Sequence, residues 1–299
     1  MAVRADCTRT DGVIQATITC DPKTWQAHGV LVDPFDGQHD IANKVLLHVS
    51  AAFAEDPVRI LRLARLAARF AEFTVAPQTL ELMRAMVHSG EVDHLVAERV
   101  WQELAKGLME ATPSRMFEVL RDCGALARLL PKIKLESDPN LILQVLDTCA
   151  RLQAPLPVRV ACLLQKELES DPNYLTRLRL PTDCRELAQV LARERGNIER
   201  SKELAASELV GLLERCDALR KPQRFAQLLL ACECVARTEL GLAAETPYPS
   251  ATWLLAALAA VQGVATNSVA AHALARGASG KQIGELIHRA RIEAVRAGF

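Results

Sequence analysis

The chain has 299 residues, with 36 basic and 36 acidic side chains that cancel, so no global field steers it toward nucleic acid and any RNA contact must come from local patches. Half of the residues are apolar and 24% are charged, an ordinary globular mix able to build one or two sizeable cores. No apolar run is long and uncharged enough to span a bilayer, which excludes a membrane-spanning helix, and nine cysteines scattered among apolar stretches read as reduced thiols of a cytoplasmic protein.

Residues 1–32 are rich in Thr, Asp and Gly. Val13, Ile14, Thr17, Ile18 and Thr19 suggest one strand and Gly29 to Val32 a second, with Asp21 and Pro22 as turn formers between them. A lone hairpin of this size is marginal, so it leans on helices or is the edge of something larger. The most informative stretch follows, residues 33–70. Asp33, Pro34 and Gly37 make a turn, and Ser50 to Asp56 lead into a helix that starts at Asp56 with Pro57, because Pro tolerates a first turn and an acidic side chain accepts orphan amides. At 100° per residue, Ile60, Leu63, Ala67 and Phe70 share a core-facing stripe. Arg59, Arg62, Arg65 and Arg69 gather on another face, with Glu55 and Asp56 at its N-terminal end. Two readings stand: a solvated amphipathic helix whose arginines pair with nearby acids, or a donor array beside a carboxylate, suited to planar hydrogen-bonding ligands or phosphates.

Beyond residue 33 the pattern is helical, with apolar residues recurring at three and four. Helices are expected over 38–47, 56–71, 77–88, 96–110, 113–122, 124–129 and 139–152, then over 156–164, 171–178, 182–194, 202–216, 221–239, 250–262, 266–274 and 280–297. Pro77, Pro113, Pro131, Pro155, Pro181, Pro222 and the Thr246-Pro247-Tyr248-Pro249 segment break them. The fold class is therefore all-α: many helices behind a short N-terminal β-hairpin. A soft boundary is expected near 131–155, and no fixed-period repeat is present.

Outside the arginine-edged helix, sites are few. Cys232-x-Cys234 is at best a lone pair of ligands. The histidines are dispersed and read as surface or capped residues. Arg220, Lys221 and Arg224 cluster around Pro222, while Lys281, Arg289, Arg291 and Arg296 decorate the last helix, whose Gly280–Gly284 opening could offer amides to a phosphate. A solvated helix face is the other reading of these basic groups.

The run DPFDGQHD followed by HVSAAFAEDPVRILRLARLAARF closely resembles the neck of bacterial CCA-adding enzymes, tRNA nucleotidyltransferases of the second class. In that family an E-D-x-x-R-x-x-R helix reads the incoming CTP or ATP base, and the matching positions here are Glu55, Asp56, Arg59 and Arg62. Glu98-Arg99-Val100-Trp101-Gln102-Glu103 resembles the family's E-R-x-x-x-E segment, which braces that helix, and i to i+4 pairing gives Arg99 and Glu103 a reason to meet. Residues 113–131, then RLPTDCRELAQVLARERGNIERS, ERCDALRKPQRFAQLLLACE and GKQIGELIHRARIEAV, also look like the family, so the resemblance spans roughly residues 30–299. It implies nucleotide binding by Asp56, Arg59 and Arg62, support from Glu55, Arg99 and Glu103, and tRNA contact at Arg220, Lys221, Arg224 and Lys281.

The departures matter equally. The family's catalytic head carries a Gly-Gly turn, an Arg-Asp pair and two aspartates one residue apart that hold two Mg²⁺ ions, and residues 1–32 supply none of these; Arg4, Asp6 and Thr8 only echo one head motif. Asp36-Gly37 stands where the family has Gly-Gly, so Asp36 occupies a position suited to φ > 0, tolerable at some cost, and His39 stands where the family often has Arg. No histidine lies between His94 and His272, so the HD phosphohydrolase metal centre of the multifunctional form cannot be housed in RVACLLQKELESDPNYLTRLRLP. The expected organisation is a remnant of the head at 1–32, a base-recognition neck at 33–135, and a body and tail at 136–299. The expected function is RNA binding with nucleotide recognition, without catalytic or metal-binding residues of the chain's own. The alternatives are a transferase subunit using Mg²⁺ and CTP or ATP on a head supplied by a separate polypeptide, or a truncated product without function.

Overall fold

The computed structural model describes residues 15–20, 27–133, 139–170, 179–243 and 246–298. They form two compact units, residues 1–150 and 151–299. The expected helix at 171–178, the hairpin turn at Asp21 and Pro22, the strand start at Val13 and Ile14, and the head echo at Arg4, Asp6 and Thr8 lie outside the described residues.

The first unit opens with an antiparallel pair, β1 (Gln15–Cys20) against β2 (Ala27–Val32), registered Gln15 to Val32 and Cys20 to Ala27. Next comes α1 (Gly37–Ala42), then β3 (Val45–Leu46), α2 (Val58–Arg69), β4 (Thr74–Val75), α3 (Pro77–His88), α4 (Ala97–Leu108), α5 (Ser114–Asp122), α6 (Ala125–Leu129) and α7 (Pro139–Arg151). The expected helix at 38–47 is cut short. Lys44 turns to a φ of 55°, and Val45–Leu46 instead pairs in parallel with Thr74–Val75, closed by the Thr74 amide on the Lys44 carbonyl at 2.9 Å. A β-branched residue placed beside an open strand edge gains more from the ladder than from one further helical turn.

Helix α2 is the axis of this unit, packed on α4 and α5. Ile60, Leu61, Ala64, Ala67 and Ala68 are buried along it, with Met116, Phe117 and Leu120 of α5 also wholly enclosed. Gly107 permits the close approach of α5 to α4: a Cβ there would lie 2.0 Å from the Met116 sulfur. Phe70 departs from its expected core stripe. It is 39% exposed, because the chain leaves helical geometry at that residue (φ −114°, ψ 72°) and swings the ring onto Phe73, 5.4 Å away.

The second unit contains α8 (Leu156–Ser170), α9 (Thr182–Glu199), α10 (Ala206–Arg215), α11 (Pro222–Glu239), α12 (Pro249–Gln262), α13 (Thr266–Ala275) and α14 (Gly280–Gly298). α8 and α9 form its main pair, α11 packs on both, and α14 lies on α10, α12 and α13. Leu187, Leu191, Leu213, Phe225, Leu228 and Cys232 fill the interior. α9 runs five residues past its expected end at 194, stitched by an Arg195–Glu199 pair at 2.6 Å one turn apart. α10 starts at 206 instead of 202, because Glu208 reaches back to the Ala205 amide at 2.9 Å and fixes the entry there. Among the described residues, no single helix is long and apolar enough to cross a membrane.

Candidate functional site

The N-terminal end of α2 is built by a short 3₁₀ turn, Ala51–Glu55, anchored by buried Phe53. Asp56 is extended, and Pro57 then launches the helix. The Val58 amide donates to Asp56 Oδ1 at 3.1 Å, and Arg99 Nη2, from the first turn of α4, donates to Oδ2 at 2.8 Å. Each carboxylate oxygen is thus held by a different helix. Burial works against the charged form, but the Arg99 hydrogen bond, the Val58 amide and the charges of Arg99 and Arg62 outweigh it, so the carboxyl sits below its ordinary range.

The four arginines of α2 go to four destinations. Arg59 Nη1 folds back onto the Ala52 carbonyl. Arg62 Nε lies 4.0 Å from Glu103 Oε1, while Arg65 Nε donates to Glu103 Oε2 at 2.9 Å and its Nη1 stands 3.6 Å from Glu110. Arg69 stacks its guanidinium 5.6 Å from the centre of the Phe70 ring. Glu103, only 6% exposed, also receives Lys106 Nζ at 3.3 Å. A carboxylate this deep is stable only among cations, and it gathers three.

The expected meeting of Arg99 with Glu103 does not occur. Glu103 faces α2 and is occupied by Arg62, Arg65 and Lys106, which leaves Arg99 to pair with Asp56. The structure therefore brings Asp56, Arg62, Arg99 and Glu103 into one cluster, turns Arg59 back toward the 3₁₀ turn, and leaves Glu55 exposed at the end of that turn. Sequence reasoning placed Arg65 on the right face but missed Lys106 and Glu110 as members. The 103, 106, 110 spacing carried the signal, since three and seven residues return to the same helix face.

An apolar cavity of about 400 Å³, lined by Phe35, Ile41, Phe53, Leu63, Phe70 and Phe73, opens in the same unit without any member of the cluster in its wall. Its rim is the 33–37 turn. Asp33 accepts the Gly37 and Gln38 amides at 2.7 and 2.8 Å, and these bonds, the Gln38 amide first, lower its pKa. Asp36 takes the left-handed conformation (φ 59°), the geometry anticipated for its position, and His39 is exposed.

The basic residues singled out in the second unit are unequally placed. Lys221 Nζ and Arg224 Nη1 both donate to Glu186 Oε2 at 2.7 Å, and Arg224 also reaches the Cys216 carbonyl at 3.0 Å. Those two cations, Lys221 first, hold the Glu186 carboxyl below its usual range. Arg220 instead projects outward, with 85% of its side chain exposed and Asp217 3.8 Å away. Lys281 is exposed on the first turn of α14. At that turn Ser279 and Gln282 cap each other, with the Ser279 amide on Gln282 Oε1 at 2.7 Å and the Gln282 amide on Ser279 Oγ at 3.4 Å, so the helix end is already closed in part. Cys232 and Cys234 are buried in α11, and among the described residues no three His, Cys, Asp or Glu side chains stand together to hold a metal ion.

Comparison with known proteins places these features in a family. Residues 72–136 match the family described as the probable RNA and SrmB-binding site of polymerase A. The multifunctional CCA protein of Acidovorax sp. (strain JS42) is 51% identical across 99% of this chain and 76% of its own length, and that of Polaromonas naphthalenivorans (strain CJ2) is 54% identical across 89% and 70%. Among solved structures, the Thermotoga maritima CCA-adding enzyme complexed with tRNA CCA superposes with a TM-score of 0.61 over 97% of this chain and 71% of that one, at 18% identity. A CCA-adding enzyme in complex with CTP gives 0.60 over 93% and 65%, at 19% identity. At such identities the likeness is one of fold.

Proposed function

The chain belongs to the family of multifunctional CCA proteins, and on that premise we propose that it binds tRNA and that Asp56 and Arg62 read the base of CTP or ATP. The observation that carries the reading is an ionised carboxylate and a guanidinium side by side at the start of α2, both half-buried. Cytosine and adenine each present an exocyclic amino donor next to a ring-nitrogen acceptor. A carboxylate can only accept and a guanidinium can only donate, so Asp56 pairs with the amino group and Arg62 with the ring nitrogen. Uracil and guanine place a keto oxygen and a ring N–H at the same two points, and both contacts turn repulsive. One pair of side chains thus selects the two amino bases without a nucleic-acid template. Glu103 serves this by directing Arg62 and Arg65 on α2. The match of residues 72–136 to an RNA-binding family supports RNA contact along the region that includes α3, α4 and α5.

The donor set does not fit the paired magnesium ions that the resemblance attaches to nucleotide transfer. Nowhere in the sequence do two aspartates stand one residue apart, and among the described residues no carboxylate cluster of the required kind forms. The proposed role of the described residues is therefore binding and base selection, with transfer dependent on carboxylates that they do not supply. Titration of labelled tRNA at several salt concentrations tests the RNA half: affinity should fall steeply as salt rises, and negligible binding at low salt would overturn it. Incubation with CCA-less tRNA, Mg²⁺, CTP and ATP should give no label incorporation by the purified chain alone. Incorporation would show that residues outside the described set provide the missing carboxylates.

A further inference from the structure

We propose that the apolar cavity of the first unit is a second nucleobase site, one that stacks an unpaired base of bound RNA. It rests on the RNA-binding half of the function proposed above, and it shares no residue with the Asp56–Arg62 pair.

Four phenylalanines wall the cavity: Phe35, Phe53, Phe70 and Phe73. Phe53 is buried, whereas Phe35 and Phe70 are exposed. Phe70 and Phe73 stand 5.4 Å apart with their planes tilted by 47°, so one side of the cavity is a pair of rings. Helical periodicity puts Phe70 on the core stripe of α2, yet the chain breaks there and gives the ring to the cavity instead. Leaving two large rings in water is unfavourable, and a flat apolar ligand laid against them recovers that loss.

Charged groups beside the rings narrow the ligand class. Asp40 and Glu72 also line the cavity, and among the described residues neither makes an ion pair. The Arg69 guanidinium lies 5.6 Å from the centre of the Phe70 ring and has no carboxylate partner among them either. A nucleotide meets all of these at once: its base stacks on a ring, its amino group donates to a carboxylate, and its phosphate accepts from Arg69. An apolar peptide segment would fill the same space and leave the three charges unmatched. The cavity also adjoins the stretch similar to an RNA-binding family, since Glu72 and Phe73 in its wall are the first two residues of that match.

The experiment is an anisotropy titration of the full chain with a single-stranded cytidine hexamer, and with the same backbone stripped of its bases, for wild type, Phe35→Ala, Phe70→Ala and Phe70→Tyr. Both phenylalanines are exposed, so truncating them leaves the core intact, and the urea unfolding midpoint checks this directly. Phe35→Ala and Phe70→Ala should each weaken the cytidine hexamer about tenfold, while Phe70→Tyr keeps most of the affinity and the abasic hexamer binds all four chains equally weakly. The same losses should persist in an Arg62→Ala background, where the other base-reading residue is gone. Wild-type affinity for the cytidine hexamer in folded Phe35→Ala and Phe70→Ala would overturn the cavity as a base site while leaving RNA binding in place. An equal loss for the abasic hexamer would overturn it too, because the rings would then hold shape and not a base. No binding of hexamer or tRNA at low salt would overturn the RNA reading itself, and the cavity's role with it. Self-association in sedimentation that Phe35→Ala abolishes, with hexamer affinity unchanged, would put a second copy of the chain in the cavity and overturn the base site.

Discussion

Two carboxylates, Glu103 in the first unit and Glu194 in the second, are each almost wholly buried among cations, yet they are put to opposite uses. Glu194 is saturated. Arg215 grips it with Nε at 3.0 and 3.2 Å and Nη2 at 3.1 Å, Arg193 Nε adds a contact at 3.0 Å, and Asn197 donates at 2.9 Å. Burial pushes its pKa up, but the bonds from Arg215, Asn197 and Arg193 outweigh that and hold the carboxyl below its ordinary value of 4.5. Glu103 is shared more loosely. Arg62 stands off at 4.0 Å with 31% of its side chain exposed, and Lys106 is 57% exposed. Both acids keep cations at the surface, with Arg193 and Arg215 56% and 48% exposed, but at Glu194 every one of them is within hydrogen-bond distance, whereas at Glu103 Arg62 is not. The same ion-pair chemistry locks a fold when its donors are used up and offers a ligand site when they are not.

The largest expected effect is at the closed site. Glu194→Ala leaves Arg215 and Asn197 without their acceptor and should lower stability by about 2–3 kcal/mol, read as the shift of a urea unfolding midpoint. The pH dependence follows from the sign of the shift. Because the folded pKa lies below the unfolded one, the contribution of Glu194 is complete above about 4.5 and is lost as pH falls through the folded value. Glu194→Gln should therefore flatten the acid limb of the stability curve. An unchanged acid limb would mean that Glu194 is not the group whose protonation unfolds the unit.

Glu103→Gln is the matched test at the open site and should split differently. Its stability cost should be smaller, about 1–2 kcal/mol, because the Gln amide oxygen can still accept from Arg65. CTP affinity should fall about tenfold, because Arg62 loses the group that directs it. Equal stability losses for Glu194 and Glu103, with CTP affinity untouched, would erase the contrast between a lock and a site.

What was legible in the sequence follows the range of the interaction. The Asp56-Pro57 helix start, the helix from Pro77, and the left-handed Asp36 were readable because cap, ring and turn chemistry act over a few residues. The truncation of α1 was not, because it depends on a strand partner at Thr74 and Val75, some thirty residues downstream. The cluster was half legible: the family resemblance picked out Asp56, Arg62, Arg99 and Glu103, while helical spacing paired Arg99 with the wrong acid. Pairing within one helix can be counted along the chain. Which acid faces α2 depends on how α4 is rotated against it, and that is decided by the packing of Leu104 and Leu108 rather than by charge.

The smallest effect concerns the basic residues around Pro222, where the same division between used and spare cations recurs within five positions. Lys221 and Arg224 are spent on Glu186, whereas Arg220 reaches into solvent with only a 3.8 Å approach to Asp217. If this surface touches tRNA phosphate, Arg220→Ala should reduce the slope of log affinity against log salt by about one and leave the urea midpoint unchanged. Lys221→Ala and Arg224→Ala should do the reverse, costing about 1 kcal/mol or less of stability while barely altering the salt slope. A loss of slope from Lys221 or Arg224 equal to that from Arg220 would show that Glu186 releases them when RNA arrives. The closed pairs of the second unit would then be switches, and the distinction drawn from Glu194 would hold only where the acid is fully buried.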